Sequence, residues 1–235
     1  MAAVILEARG LTKTFGGLRA VDGVDFDLRR GEIHALIGPN GAGKTTFVSL
    51  LCGRIAPSSG TIRFEGRDIT RLPAHARVRL GIAYTFQITS IFPRLTAFEN
   101  VAIAAQRLGS RGCEARARAV LERVGIAAEA GARAGDLSYG HQRLVEIAMG
   151  LALEPRLLIL DEPTQGLANA EVDRFAALIE GLAGGATILL IEHNMDLVMR
   201  LAERITVLDG GTKLAEGAPE AIRADPAVRA AYLGG

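Results

Sequence analysis

Ile33-His34-Ala35-Leu36-Ile37-Gly38-Pro39-Asn40-Gly41-Ala42-Gly43-Lys44-Thr45-Thr46 is the stretch on which the fold turns. Residues 33–37 form a compact apolar run, which reads as a buried strand. Lys44 to Leu51 reads as a helix that ends at Gly53. Between them lies a Gly-x-x-x-x-Gly-Lys-Thr pattern, in the strand-to-helix context that gives this pattern its meaning. Gly41 and Gly43 permit backbone angles that a Cβ would forbid. Backbone N–H groups can then turn inward around phosphates, and the helix N-terminus adds its positive dipole end. Lys44 brings a full charge to β- and γ-phosphates, and the Thr45 hydroxyl suits Mg²⁺, which prefers oxygen ligands. The candidate phosphate-binding residues are therefore Gly38, Pro39, Asn40, Gly41, Ala42, Gly43, Lys44, Thr45 and Thr46. The competing reading, a glycine-rich turn that binds nothing, is disfavoured because every position of the pattern is filled.

Working outward, Val4–Ala8, Val24–Leu28, Thr61–Phe64 and Ala83–Phe86 read as short strands. Between about Ile88 and Asp136 the texture turns helical and rich in Ala and Arg, with amphipathic periodicity over Thr96–Gln106 and Cys113–Val124. A helix over Gln142–Leu153 follows, and residues 88–153 read as a helical subdomain inserted into an α/β core. Beyond it strands and helices alternate: Leu157–Leu160, Ala170–Leu182, Ala186–Ile191, Met195–Ala202 and Ile205–Leu208. Gly210-Gly211 then turns a hairpin into Lys213–Glu216. Such alternation predicts a mainly parallel sheet covered on both faces, preceded by an N-terminal antiparallel β portion, all in one domain over 1–235.

Composition narrows the classes. Of 235 residues 49% are hydrophobic and mean hydropathy is +0.24, which raises the membrane question at once. A span needs about 20 consecutive apolar residues, and the apolar runs here are short and end in charge. With no signal-peptide pattern at the start, a soluble chain is expected. Lys plus Arg is 27 against 26 for Asp plus Glu, so the basic excess of a nucleic-acid binder is missing and no nucleic-acid partner is expected. Two cysteines, Cys52 and Cys113, in no metal-like spacing fit a reduced compartment. Lysine occurs only at 13, 44 and 213. Lys44 has a role, and the other two read as solvated.

Leu157-Leu158-Ile159-Leu160-Asp161-Glu162 is an apolar strand ending in two carboxylates. A buried parallel strand delivers its C-terminal end to the ligand crevice, so Asp161 would hold the Mg²⁺ shell. Glu162, aimed differently by the alternation of side chains along a strand, would take a proton from attacking water. A second strand ends in Glu192-His193, from which His193 could reach a γ-phosphate as donor. Gln87 could bind the water or the Mg²⁺. An ordinary structural histidine and a solvated glutamine are the alternatives at those two positions.

In combination these residues resemble the ATP-binding subunits of ABC transporters. The stretch Leu137-Ser138-Tyr139-Gly140-His141-Gln142-Arg143 is similar to the Leu-Ser-Gly-Gly-Gln signature that separates this family from other P-loop ATPases, with Tyr139 and His141 departing from it. The resemblance spans essentially the whole chain. It implies a head-to-tail dimer with two ATP molecules between subunits. Each site would take its P-loop, Asp161, Glu162 and His193 from one subunit and Ser138 and Gly140 from the other. Phe15 would stack on adenine. The loop around Gln87 would contact transmembrane permease subunits, and apolar surface there and on the helical subdomain would form the docking face. The family often carries Asp where this chain has Ala168. A finer resemblance, to Liv-type ATPases of branched-chain amino-acid uptake, rests on Thr85-Phe86-Gln87, Leu137–Gly140, Ile191–Met195 and the ending Asp225-Pro226-Ala227-Val228 with Ala231-Tyr232-Leu233-Gly234. It implies an importer for branched-chain amino acids or a related small polar substrate. It also implies a second ATPase subunit, a periplasmic or extracellular substrate-binding protein acting indirectly, and a peripheral location on the cytoplasmic face of the inner or plasma membrane. Other readings are the ATPase of a lipopolysaccharide-type exporter and a non-transport ABC factor acting on nucleic acid or the ribosome.

Overall fold

The computed structural model describes residues 3–85, 90–182 and 185–233. In chain order the elements are β1 (Val4–Phe15), β2 (Leu18–Arg29), β3 (Ile33–Ile37), α1 (Lys44–Cys52), β4 (Ser59–Phe64), β5 (Arg67–Asp68), α2 (Ala74–Arg79) and β6 (Ile82–Thr85). They continue with α3 (Ala97–Ala105), α4 (Cys113–Arg123), α5 (Tyr139–Leu151), β7 (Leu157–Asp161), α6 (Asn169–Leu182), β8 (Thr187–Ile191), α7 (Met195–Leu201), β9 (Arg204–Asp209), β10 (Thr212–Gly217), α8 (Pro219–Ala224) and α9 (Pro226–Leu233).

Two sheets form. One is antiparallel, in the order β2-β1-β4-β5; the other runs β10-β9-β3-β8-β7-β6. Its β9-β3-β8-β7-β6 pairings are parallel, and β10 closes the edge as an antiparallel hairpin partner of β9. This is the mixed α/β layout that strand–helix alternation implies. The central strands are buried on both faces, and their period of two divides the core. Leu158 and Leu160 of β7 and Ile188 and Leu190 of β8 face α3, α5 and α6. Leu157, Ile159, Leu189 and Ile191 face α1 and the antiparallel sheet. Ala35, Ile37, Ile205 and Val207 pack under α7 and α8.

Several elements differ from the sequence reading. β1 and β2 each run 12 residues, because register shifts along their pairing absorb the breaks in alternation. α5 starts at Tyr139, three residues earlier than expected, because the Ser138 hydroxyl accepts the His141 N–H and caps it. Helix α2 carries no apolar periodicity; its one buried residue is Arg77. The Arg77 guanidinium donates to the carbonyls of Leu50, Leu51, Thr70 and Leu72. It thereby satisfies carbonyls at the end of α1, which the helix itself leaves open. Burial pushes Arg77 down to about 10. α3 starts with a capping box between Thr96 and Glu99, the reciprocal pairing that satisfies two orphan donors. Lys213 is paired with Glu216, and Lys13 lies over the Phe15 ring and donates to the Ala56 carbonyl; neither is simply solvated.

Candidate functional site

The loop from Gly38 to Gly43 connects β3 to α1 across the C-terminal edge of the parallel sheet, where ligands of such folds bind. Its glycines are required by close approach. A Cβ on Gly38 would meet the Leu208 carbonyl oxygen at 2.2 Å, and one on Gly43 (φ 95°) would meet the Ala20 carbonyl oxygen at 2.3 Å. Lys44 Nζ is folded over the loop, donating to the carbonyls of Gly38 (2.6 Å) and Pro39 (3.0 Å). Burial lowers the Lys44 pKa, opposed by the nearby Glu162 and Asp161 carboxylates.

Two cavities meet at Lys44 and Glu162. One, of about 470 Å³, runs from Leu18, Arg19 and Ala20 along Asn40–Thr46. The other, of about 640 Å³, is bounded by Gly38, Pro39, Gln165, His193 and Tyr232. Gly38–Thr46, Glu162 and His193 thus line one connected space. Phe15 pairs with Leu18 across the β1–β2 turn and is 49% exposed, beside the first cavity rather than among its lining residues. Gln87 lies outside the described residues.

Asp161, the last residue of β7, points to the α1 side with Leu157 and Ile159. Its Oδ2 accepts the Tyr84 hydroxyl at 2.7 Å. Burial raises the Asp161 pKa, and the Tyr84 hydrogen bond works against that rise. Glu162 is aimed by something other than strand alternation: its backbone leaves the strand in the left-handed region at φ 46°. A non-glycine residue there costs of order 1–3 kcal/mol and persists only where its surroundings hold it. The Glu162 N–H donates to the Ile191 carbonyl (2.8 Å).

Four polar side chains to which the sequence reading gives no role hold the segments of the site. Arg143 on α5 is 1% exposed, and its guanidinium donates to the carbonyls of Asp161, Glu162 and Pro163. Nη1 also donates to Glu146 Oε2 at 2.6 Å. Glu146 Oε1 accepts the Ser90 N–H (3.3 Å). Glu192 is fully buried: Oε1 accepts from Thr164 N (3.0 Å) and Oγ1 (2.5 Å), and Oε2 from His193 N (3.0 Å) and Asn194 N (3.3 Å). It staples the turn after β7 to the segment after β8 and so presents His193, whose side chain is 61% exposed. Tyr84 completes the set; only the 77-residue separation of its hydroxyl bond to Asp161 reveals it.

Ser138 and Gly140 do not join these cavities. Gly140 borders a separate cavity of about 390 Å³ between the end of α4, α5 and α6. A single chain therefore keeps the signature-like stretch apart from its own phosphate loop. No helix is long and apolar enough to cross a membrane, among the described residues.

A family model described as ABC transporter matches residues 21–165. The chain belongs to that family of ATPases. A second model, described as branched-chain amino acid ATP-binding cassette transporter, matches residues 212–235 of this ABC ATPase. It is 42% identical over 253 residues to the high-affinity branched-chain amino acid transport ATP-binding protein BraF of Pseudomonas aeruginosa, covering 100% of this chain and 99% of BraF. It is 41% identical over the same extent to LivG of Escherichia coli, which bears the same description. The crystal structure of the ADP conformation of MJ1267, an ATP-binding cassette of an ABC transporter, superposes with a TM-score of 0.90 at 28% identity over 100% of both chains. The dimeric structure of MJ0796, a bacterial ABC transporter cassette, matches 92% of this chain and 99% of that one at 25% identity and TM-score 0.83.

Proposed function

We propose that this ABC ATPase binds and hydrolyses ATP to power an importer of branched-chain amino acids or a related small polar substrate. The observation that carries the reading is full-length identity of 41–42% to LivG and BraF, including nearly the whole of those chains. The Liv-like ending between Asp225 and Gly234 adds to it. In this reading two ATPase subunits, alike or a sister pair, dock from the cytoplasmic side on permease subunits that an external substrate-binding protein loads. Exposed Phe92, Ile103 and Leu108 supply apolar surface in and around α3 for such docking. The helical stretch within 88–153 is proposed to act as a subdomain that presents it.

The cavity at Lys44 takes the phosphates, with the N–H groups of Gly41–Thr46 and the Lys44 ammonium as donors. Arg19 and exposed Phe15 flank the nucleoside end. The Thr45 hydroxyl and Asp161 carboxylate are hard oxygen donors, and the set fits Mg²⁺. Bound with the nucleotide, Mg²⁺ neutralises charge on the phosphate oxygens. Glu162 accepts a proton from the attacking water, and His193 donates a hydrogen bond to a γ-phosphate oxygen. Gln87 contributes to the water or the Mg²⁺ shell. Ser138 and Gly140 bind the γ-phosphate of the nucleotide held by the opposite subunit, through the capped start of α5.

Reconstituted vesicles holding the permeases should accumulate leucine only with internal MgATP and external binding protein. Lys44→Ala should abolish both accumulation and turnover, and Glu162→Gln should retain ATP binding while slowing hydrolysis by about 100-fold or more. Leucine uptake unchanged by Lys44→Ala would refute the coupling. Full turnover in Glu162→Gln would refute the role of that carboxylate.

A further inference from the structure

We propose that Arg143 is a positioning residue through which Ser138 and Gly140 set the pose of Glu162 within the same chain, making the two sites of a dimer fire together. The proposal rests on the reading that Ser138 and Gly140 face the opposite subunit's nucleotide.

Arg143 lies little more than one turn beyond the Ser138 cap of α5, and its planar fork engages three consecutive carbonyls, those of Asp161 (2.8 Å), Glu162 (2.9 Å) and Pro163 (3.2 Å). Glu162 holds its left-handed backbone in the middle of that turn. Guanidinium geometry is rigid, and each buried bond is costly to break. A shift of α5 therefore carries the turn with it. Glu146 fixes the fork from the other side.

Two further contacts bind the same pieces. The Tyr139 ring covers Gly166, with Cε1 3.2 Å from where a Gly166 Cβ would stand. The Glu171 carboxylate closes on Gly140, with Oε1 2.3 Å from where a Gly140 Cβ would stand, while Oε2 accepts the Ala168 N–H (2.9 Å). The start of α5 and the segment 161–171 are thus held as one body at three points. Ala168 contributes to this body through its backbone N–H alone. Tyr139, one of the two departures from the signature pattern, gains a purpose as part of this body.

The test uses the purified chain with MgATP, reading turnover against ATP concentration and binding of a fluorescent ATP analogue. The parent should show a Hill coefficient above 1. Arg143→Lys keeps the charge but loses the fork. It should leave analogue binding within about twofold of the parent while kcat falls about 10-fold or more and the Hill coefficient drops toward 1. Parent-like kcat and cooperativity in folded Arg143→Lys would overturn the proposal, as would a non-cooperative parent or a loss of binding in parallel with kcat. Ser138→Arg separates the two readings. If it abolishes turnover while Arg143→Lys is parent-like, only the positioning role fails. If Ser138→Arg is itself parent-like, the opposed-nucleotide reading fails and takes the proposal with it. Should Arg143→Lys not fold, hydrogen exchange on the unaltered chain decides. MgATP should protect amides of 138–146 and 161–166 together, and protection of 138–146 alone overturns the idea.

Discussion

Replacing Glu192 with Gln changes one atom and should disable both the turn after β7 and the His193 segment. The carboxylate accepts four hydrogen bonds, two from Thr164 and one each from the N–H groups of His193 and Asn194. A Gln can keep the Thr164 pair on its amide oxygen. Its NH₂ group then faces the two remaining N–H donors, so two partly buried donors lose their acceptor. At about 1–2 kcal/mol for each, the lower part of the range for an unsatisfied group because both donors are only partly buried, the expected loss is about 2–4 kcal/mol. A chain of this size loses about 2–4 °C of Tm per kcal/mol, so Tm should fall by roughly 5–15 °C in calorimetry. The catalytic effect follows from the same displacement. His193 and the Glu162 turn drift, and kcat should drop about 10-fold or more, since misplacement of about 1 Å alone can cost 100-fold. KM for ATP should stay within about threefold, because the phosphate loop is untouched. A Tm within about 2 °C of the parent and a kcat within about twofold would refute the stapling role of Glu192.

Tyr84→Phe should raise the Mg²⁺ concentration needed for half-maximal nucleotide binding by roughly 10-fold, as loss of a partner behind a metal ligand does. It removes a hydrogen bond that favours the ionised form of Asp161, whose pKa burial already raises. Unchanged Mg²⁺ dependence in a titration of fluorescent ATP binding would refute that role. Acid should destabilise the fold in two stages. Burial holds the His34 pKa below its ordinary 6.5, with Glu32, Arg204, Thr206 and Glu216 around it. Between the folded and unfolded pKa values the unfolded chain binds the extra proton. This contribution to stability is therefore complete above pH 6.5 and is lost as pH falls toward the folded value, at up to about 1.4 kcal/mol per pH unit. Against their burial, Glu32 is held below its ordinary value of 4.5 by His34, the Arg29 N–H and Arg204, and Glu216 by Lys213 and Arg204. Their share is lost below pH 4.5. Urea unfolding from pH 7.5 to 5.5 should show the first stage in the parent and not in His34→Asn; equal slopes in the two would refute it.

The phosphate loop was legible in the chain alone, because Gly38, Gly43, Lys44 and Thr45 act through backbone geometry and a charge set within eight residues. The parallel core was legible too, since runs such as 157–160 are apolar on both faces only when buried twice over. Tertiary structure alone decided how Glu162 is aimed, because its left-handed backbone depends on Arg143 from α5 and on the Ile191 carbonyl from β8, neither of which leaves a mark near residue 162. It likewise decided that Arg77 finishes α1 from a separate helix and that Glu192 holds Thr164 across 28 residues. A charge buried on another element's carbonyls reads in sequence like any surface charge. Only the fold brings the acceptors to it.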